Sequence, residues 1–300
     1  MLASPDDANL WHRLNLHNNI VVDNMAGLAG GGISLQDSAR VSIVHNTVAN
    51  NDSTATAGAA FEAGSPNQST PRPAGIVARA HSGALSSAIG NAPAVAPYKT
   101  FSNPTLDNNI VWHNRSFFWL IDPTCDPATS ATPCFGLQPV IGADGSGAVY
   151  DDLAVRGTTG CLNPRNSILT VLADGACTYA ASTASNVAED PSFVAEYSNG
   201  SPGQTIVINE TTTGLATAAA LDEGGNFIDV RFGPLTLTNA VATEECPVVG
   251  SCLLGDYHLL NGSPAEGRGA TGTGVTTDVD GQARPNPAGT NPDAGADERE

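Results

Sequence analysis

Positive charge is what this chain has least of. Its 300 residues carry 12 Lys+Arg, with Lys99 the single lysine, against 30 Asp+Glu, for a formal net charge of −18. A surface of that sign repels phosphate backbones, which excludes nucleic-acid binding. It also disfavours anionic membranes and anionic polysaccharides, unless calcium bridges them. Long apolar runs are missing as well. No stretch approaches the ~18 residues of a membrane-spanning helix, so membrane insertion is not expected. The opening MLASPDDANLWHRL has neither the basic start nor the apolar core of a leader peptide. Either a leader has been removed or this is the C-terminal part of a longer protein, and repeats that begin almost at once favour the second expectation. No CxxC occurs and no His stands within four residues of a Cys, so the cysteines offer no zinc site. P-loop, dinucleotide and Ser-His-Asp signatures are absent, and the six histidines do not repeat in register.

What the chain has in quantity is turn residues and asparagine. Gly 32 and Pro 20 indicate many turns and few long helices, while a hydrophobic content of 41% argues against disorder. Within this background one nine-residue pattern occurs three times. It reads Leu16-x-x-Asn19-x-Val21-x-x-Asn24, then Ile43-x-x-Asn46-x-Val48-x-x-Asn51, then Leu106-x-x-Asn109-x-Val111-x-x-Asn114. The spacing suits neither a helix face nor plain strand alternation, because it sets a polar Asn in register with buried positions. A stacked coil resolves the conflict: short strands turn corners, and each corner Asn bonds to the Asn above and below. Repeats of this kind mean a solenoid whose units cannot bury their apolar faces alone.

Residues 12–51 read as consecutive coils. The segment 52–100, rich in Ala, Ser, Pro and Gly, carries a Pro-rich loop and one apolar strand, GIVARA; it reads as a degenerate coil plus a long excursion. Six cysteines fall in three close pairs, Cys125/Cys134, Cys161/Cys177 and Cys246/Cys252. Nearest-neighbour pairing closes three local loops and implies an oxidising compartment. The last 45 or so residues are nearly all turns, and must cap the solenoid end or stay mobile.

The segments NNIVVDN and HNTVANN, with GGGI between them, resemble right-handed parallel β-helix repeats of the pectate-lyase-like kind. Downstream, EDPSFV, GDYHLLNGSPA, TDVDGQARP and DAGADE resemble the C-terminal region of secreted bacterial β-helix proteins of the choice-of-anchor type. The resemblance covers most of 12–51 and 104–116 and parts of 186–300. It departs at Glu266-Gly267-Arg268-Gly269, where the usual Asp is missing. It implies an all-β fold: a right-handed parallel β-helix with long insertions and a turn-rich C-terminal cap. On this reading, coils occupy 1–200, with the insertion at about 52–100. Terminal coils and the cap, continuous with the solenoid, occupy 201–300. It also implies an extracellular or cell-surface location, but such folds host many activities.

Candidate site residues follow from chemistry and position. Trp112, His113, Arg115 and Trp119 form the candidate ligand-binding set, with Trp112 and His113 expected to face outward as a sugar-stacking platform; the alternative is burial beneath the 52–100 loop. Asp151 and Asp152, with Arg115, are the residues an enzyme would use. Adjacent strand residues point to opposite faces, however, and solvated loop acids are the plainer reading. Asp278, Asp280, Asp293 and Asp297 crowd the tail as a candidate calcium site, against simple Asp-Gly turns with Arg284 paired to an acid. No other cofactor is expected. The functional expectation is a structural, adhesive or carbohydrate-binding module without catalysis, its partner a polysaccharide or cell-surface glycan. The alternative is a polysaccharide lyase or glycoside hydrolase acting on the solenoid groove.

Overall fold

The computed structural model describes residues 4–126, 128–129, 134–142, 148–180, 185–196 and 255–299. The chain runs in successive passes. The first comprises β1 (Arg13–His17), β2 (Ile20–Val22), β3 (Met25–Ala26) and β4 (Ile33–Leu35). The second comprises β5 (Arg40–Val44), β6 (Thr47–Ala49), β7 (Asp52–Ser53) and β8 (Ile76–Arg79), followed by the short helix α1 (Gly83–Ala88). The third holds β9 (Thr105–Asp107), β10 (Ile110–Trp112), β11 (Arg115–Ile121), β12 (Phe135–Pro139) and β13 (Leu153–Arg156). A fourth begins with β14 (Pro164–Arg165) and β15 (Ile168–Leu169).

Equivalent strands of successive passes lie side by side in parallel, in the orders β1-β5-β9-β14, β2-β6-β10-β15, β3-β7-β11 and β4-β8-β13. The described part is thus predominantly β, with mostly parallel sheets, an arrangement that fits a β-helix-like solenoid. Its register stacks like on like. Val21, Val48, Val111 and Leu169 form one column, and Leu16, Ile43 and Leu106 another. These columns fill the interior together with Ile76, Leu153 and Tyr179. Each fully buried aliphatic side chain there contributes on the order of 1.5–3 kcal/mol.

The corners explain the repeat. Asn18, His45, Asn108 and Asn166 at one corner have φ between 49° and 58°; Asp23, Asn50 and His113 at the next have φ of 54–55°. Each sits just before a ladder position. Asn, Asp and His are the side chains that tolerate this left-handed backbone best. The following residue then stacks between passes. Asn19 Nδ2 donates to Asn46 Oδ1 at 2.8 Å, Asn46 Nδ2 to Asn109 Oδ1 at 3.2 Å, and the Asn109 N–H to Ser167 Oγ at 3.0 Å. The second ladder runs from Asn24 through Asn51 and Asn114 to Asp152. Gly31 and Gly75 enter β4 and β8 where a Cβ would lie 2.3 Å from the Asp52 carbonyl oxygen and 2.2 Å from that of Asp152. Only glycine lets the passes approach this closely.

One expectation changes here. Asn46 bonds directly to Asn109, 63 residues on, so a single pass spans that interval. GIVARA is the fourth side of this pass, as β8, and two excursions (54–75 and 80–104) leave it. Phe117, Phe118 and Trp119, just after Asn114, belong to β11, which continues past the stack into an antiparallel pair with β12. The Cys125–Cys134 bridge closes the far end of that pair, and Cys161–Cys177 ties the hairpin of β16 (Ala173–Asp174) and β17 (Cys177–Thr178) to the segment between β13 and β14. Cys246 and Cys252 lie outside the described residues, as do the whole of 201–254.

The tail packs along the flank of the stack. The strands β18 (Phe193–Ala195) and β19 (Asp256–Leu259) pair antiparallel. Phe193, Tyr257, Leu259, Ala265 and Ala294 cover the outward side chains Ile110, Trp112 and Ile168 of the second sheet, a second core outside the coils. The first corner column bonds to the same segment: Asn18 Nδ2 donates to the Thr277 carbonyl at 2.6 Å, and Asn108 Nδ2 to that of Ala270 at 2.9 Å. Carboxylates replace sheet partners within it. Asp278 accepts from the Asp280, Gln282 and Glu298 N–H groups, Asp293 from those of Gly267 and Arg299, and Glu298 from those of Asn286 and Asp293. Buried amides without a strand neighbour need such acceptors. Arg284 pairs with Glu298 at 3.5 Å, both side chains fully buried.

Candidate functional site

The second corner column is where the flank brings chemistry together. Its left-handed residues, Asp23, Asn50 and His113, stand one above another in consecutive passes. Against them the flank sets Tyr257 from β19 and Glu196 from the end of β18. Asn50 Nδ2 donates to Glu196 Oε1 and to Tyr257 Oη, both at 2.9 Å. Tyr257 Oη donates to Asp23 Oδ2 at 3.3 Å. His113 Nδ1 lies 3.5 Å from Glu196 Oε1, with the two side chains 32% and 29% exposed. One polar network therefore joins two carboxyl groups, from residues 23 and 196, through a buried phenol and a buried amide.

The two carboxyl groups are held in opposite states. Burial raises the Asp23 pKa to about 8, outweighing the Tyr257 hydrogen bond. Glu196 is also penalised by burial, but its hydrogen bonds from His113 and Asn50 prevail and hold it below the usual carboxylate range. At neutral pH Asp23 carries a proton and Glu196 is ionised. A neutral carboxyl beside a carboxylate is the division of labour that acid–base chemistry uses. It also offers a donor and an acceptor to hydroxyl groups.

The aromatic part of the expected site is arranged differently from the sequence reading. Trp112 is 7% exposed, with Phe193 and Tyr257 packed over the sheet it belongs to. The indole is thus interior, covered by the flank segment and not by the 52–100 loop. His113 stacks on it at 4.4 Å, and Tyr150 stacks on His113 at 4.4 Å, giving a three-ring tier in which His113 and Tyr150 are only half-buried. Arg115 is buried too: Nε and Nη2 donate to Asp52 Oδ1 and Oδ2, each at 2.8 Å, one pass away. Trp119, half-buried, lies on the β11 extension, where its N–H donates to Ser69 Oγ at 2.8 Å. The four residues do not form one surface.

Asp151 and Asp152 separate as alternation requires. Asp152 ends the second ladder, its Oδ1 accepting from the Asn114 N–H and side chain and its Oδ2 from the Thr170 N–H. Asp151 has its pKa pushed up to about 8 by burial and by neighbouring Asp174. The four tail aspartates also part company. Asp278 and Asp293 spend their oxygens on backbone N–H groups, while Asp280 and Asp297 meet His258, and no single cluster holds all four. Sequence reasoning missed Asp23, Asn50, Tyr257 and Glu196. The one signal for the first two was their recurrence just before a ladder Asn.

Among the described residues no helix is long and apolar enough to cross a membrane. Comparison of the chain with protein-family models, with curated proteins and with solved structures finds no match in any of the three.

Proposed function

We propose that this chain is a right-handed parallel β-helix module, secreted or displayed at a cell surface, that binds carbohydrate without transforming it. The single observation that supports this most is the half-exposed edge of the corner column, where Glu196 and His113 stand beside the ring of Tyr150. An aromatic ring can cover a sugar face while a carboxylate and an imidazole orient its hydroxyls. Tyr150 takes the stacking role that position alone assigned to Trp112. The acidic surface makes neutral glycans the preferred partners, and uronates would need a bridging cation.

The split between Asp23 and Glu196 favours a second reading, a glycoside hydrolase with Asp23 as acid and Glu196 as base or nucleophile. One experiment separates the two. Wild type, Tyr150→Ala, Glu196→Gln and Asp23→Asn are titrated with neutral oligosaccharides while reducing ends are measured. Binding lost in Tyr150→Ala and Glu196→Gln, with no new reducing ends from wild type, supports the binding module. Reducing ends released by wild type and abolished in both carboxyl variants support the hydrolase. Absence of binding and release in wild type sinks both.

A further inference from the structure

Away from the corner site, three metal-ligating groups converge in the flank segment. His258 stands on β19, Asp280 in the turn that follows Asp278, and Asp297 near the C-terminal end. One ligand atom of each lies within 4.8 Å of the other two. His258 Nε2 is 2.7 Å from Asp280 Oδ2, and the opposite nitrogen, Nδ1, donates to Asp256 Oδ1 at 2.5 Å. Asp256 precedes His258 by two positions on the strand, so both side chains leave the same face. A carboxylate on Nδ1–H fixes the ring so that Nε2 faces the other two groups. Outer carboxylates orient metal-bound imidazoles in this way.

Asp297 is the third of these groups. The residue is 6% exposed, and its one hydrogen bond is from the Leu259 N–H to Oδ2 at 2.8 Å. No hydrogen-bond donor reaches Oδ1 among the described residues. That oxygen keeps contact with solvent but has no partner among the described residues. A cation held between His258 and Asp280 would supply one.

We propose that His258, Asp280 and Asp297 bind a first-row divalent transition metal, zinc being the best match, with Asp256 orienting the imidazole. One nitrogen and two carboxylate ligands, with a position left for water, are a zinc donor set. Calcium takes about six to eight oxygens and does not favour imidazole. The tail's cation site is therefore a different one from the four-aspartate site read in the sequence. On binding, any proton on Nε2 is released to solvent and the lone pair so freed goes to the metal, while Nδ1–H stays hydrogen-bonded to Asp256. The metal would pin β19, the 278–281 turn and the C-terminal end to one another. Exposed Asp280 leaves an entry path.

The test is calorimetric titration of the full chain, stripped of metal with a chelator, using zinc chloride, with manganese and calcium chlorides in parallel. Wild type should bind one zinc ion, and calcium should not displace it at equal concentration. His258→Ala and Asp280→Asn should each weaken zinc binding at least tenfold, with circular dichroism recorded on both. Should His258→Ala fail to fold, the exposed Asp280 variant decides. Wild type that takes up no zinc, an Asp280→Asn variant that binds it as tightly as wild type, or displacement by equimolar calcium overturns the proposal.

Discussion

Asn46 is bonded on both sides by its own kind: its Oδ1 accepts from the N–H and Nδ2 of Asn19, and its own N–H and Nδ2 donate to Asn109 Oδ1. Asn46 Nδ2 also reaches the Leu16 and Val44 carbonyl oxygens, each at 3.0 Å. Leucine at this position would leave several buried groups without partners, at about 1–3 kcal/mol for each. Asn19, at the exposed end of the same ladder, has fewer buried partners. Urea unfolding should show Asn46→Leu less stable by at least about 2 kcal/mol and Asn19→Leu by less than about 1 kcal/mol. Equal losses would mean that the ladder is not cooperative across passes.

Arg115 and Asp52 form a two-point ion pair, 3% and 1% exposed. Removing one member strands a buried charge, so Arg115→Met should cost about 3–5 kcal/mol in denaturant unfolding. The double variant Asp52→Leu/Arg115→Met should recover most of that. Failure to recover would show that the pair also organises β7 and β11.

The raised pKa of Asp23, about 8, carries a signed consequence. The folded state holds this proton across roughly pH 4–8 while the unfolded chain releases it. Stability from this group is therefore full at acid pH and falls as pH rises through that window, by at most about 1.4 kcal/mol per pH unit. Subtracting the stability profile of Asp23→Asn from that of wild type should reveal this slope. A flat difference profile would place Asp23 in an ordinary solvated environment.

Trp112→Ala should act through the fold. Emptying its place in the second core should cost about 3–5 kcal/mol. Under conditions where the variant stays folded, affinity for neutral glycans should stay within about threefold of wild type, about 0.6 kcal/mol. A folded variant with no glycan affinity would return the indole to the binding surface.

Non-reducing peptide mapping should recover Cys246 joined to Cys252, as Cys125 is to Cys134 and Cys161 to Cys177. A crossed pair involving Cys246 would break the nearest-neighbour rule the other two follow.

The corner asparagines, the apolar columns and two of the local disulfides were legible in the sequence because each depends on nearby residues or on a short repeat. Asn24, Asn51 and Asn114 recur at the same place in the pattern, so stacking them satisfies all three at once. The length of the second pass was not legible. Excursions that leave and return to the same side add residues without adding a strand, and nothing local distinguishes them from another coil.

What the sequence by itself determined was the parallel stacked-strand plan and its internal polar ladders, since a period in side-chain type imposes a period in hydrogen bonding. Only the tertiary structure decided which outward positions stay outside. Trp112 looked exposed because the repeat turns it away from the coil interior, yet Phe193 and Tyr257, 81 and 145 positions further along the chain, cover its sheet. The same long-range return joined Asp23 to Glu196 through Tyr257 and brought His258 to Asp280 and Asp297. Contacts of that separation have no periodic signature. They arise because an apolar outer sheet face and unpaired corner amides need cover, and the turn-rich tail supplies it.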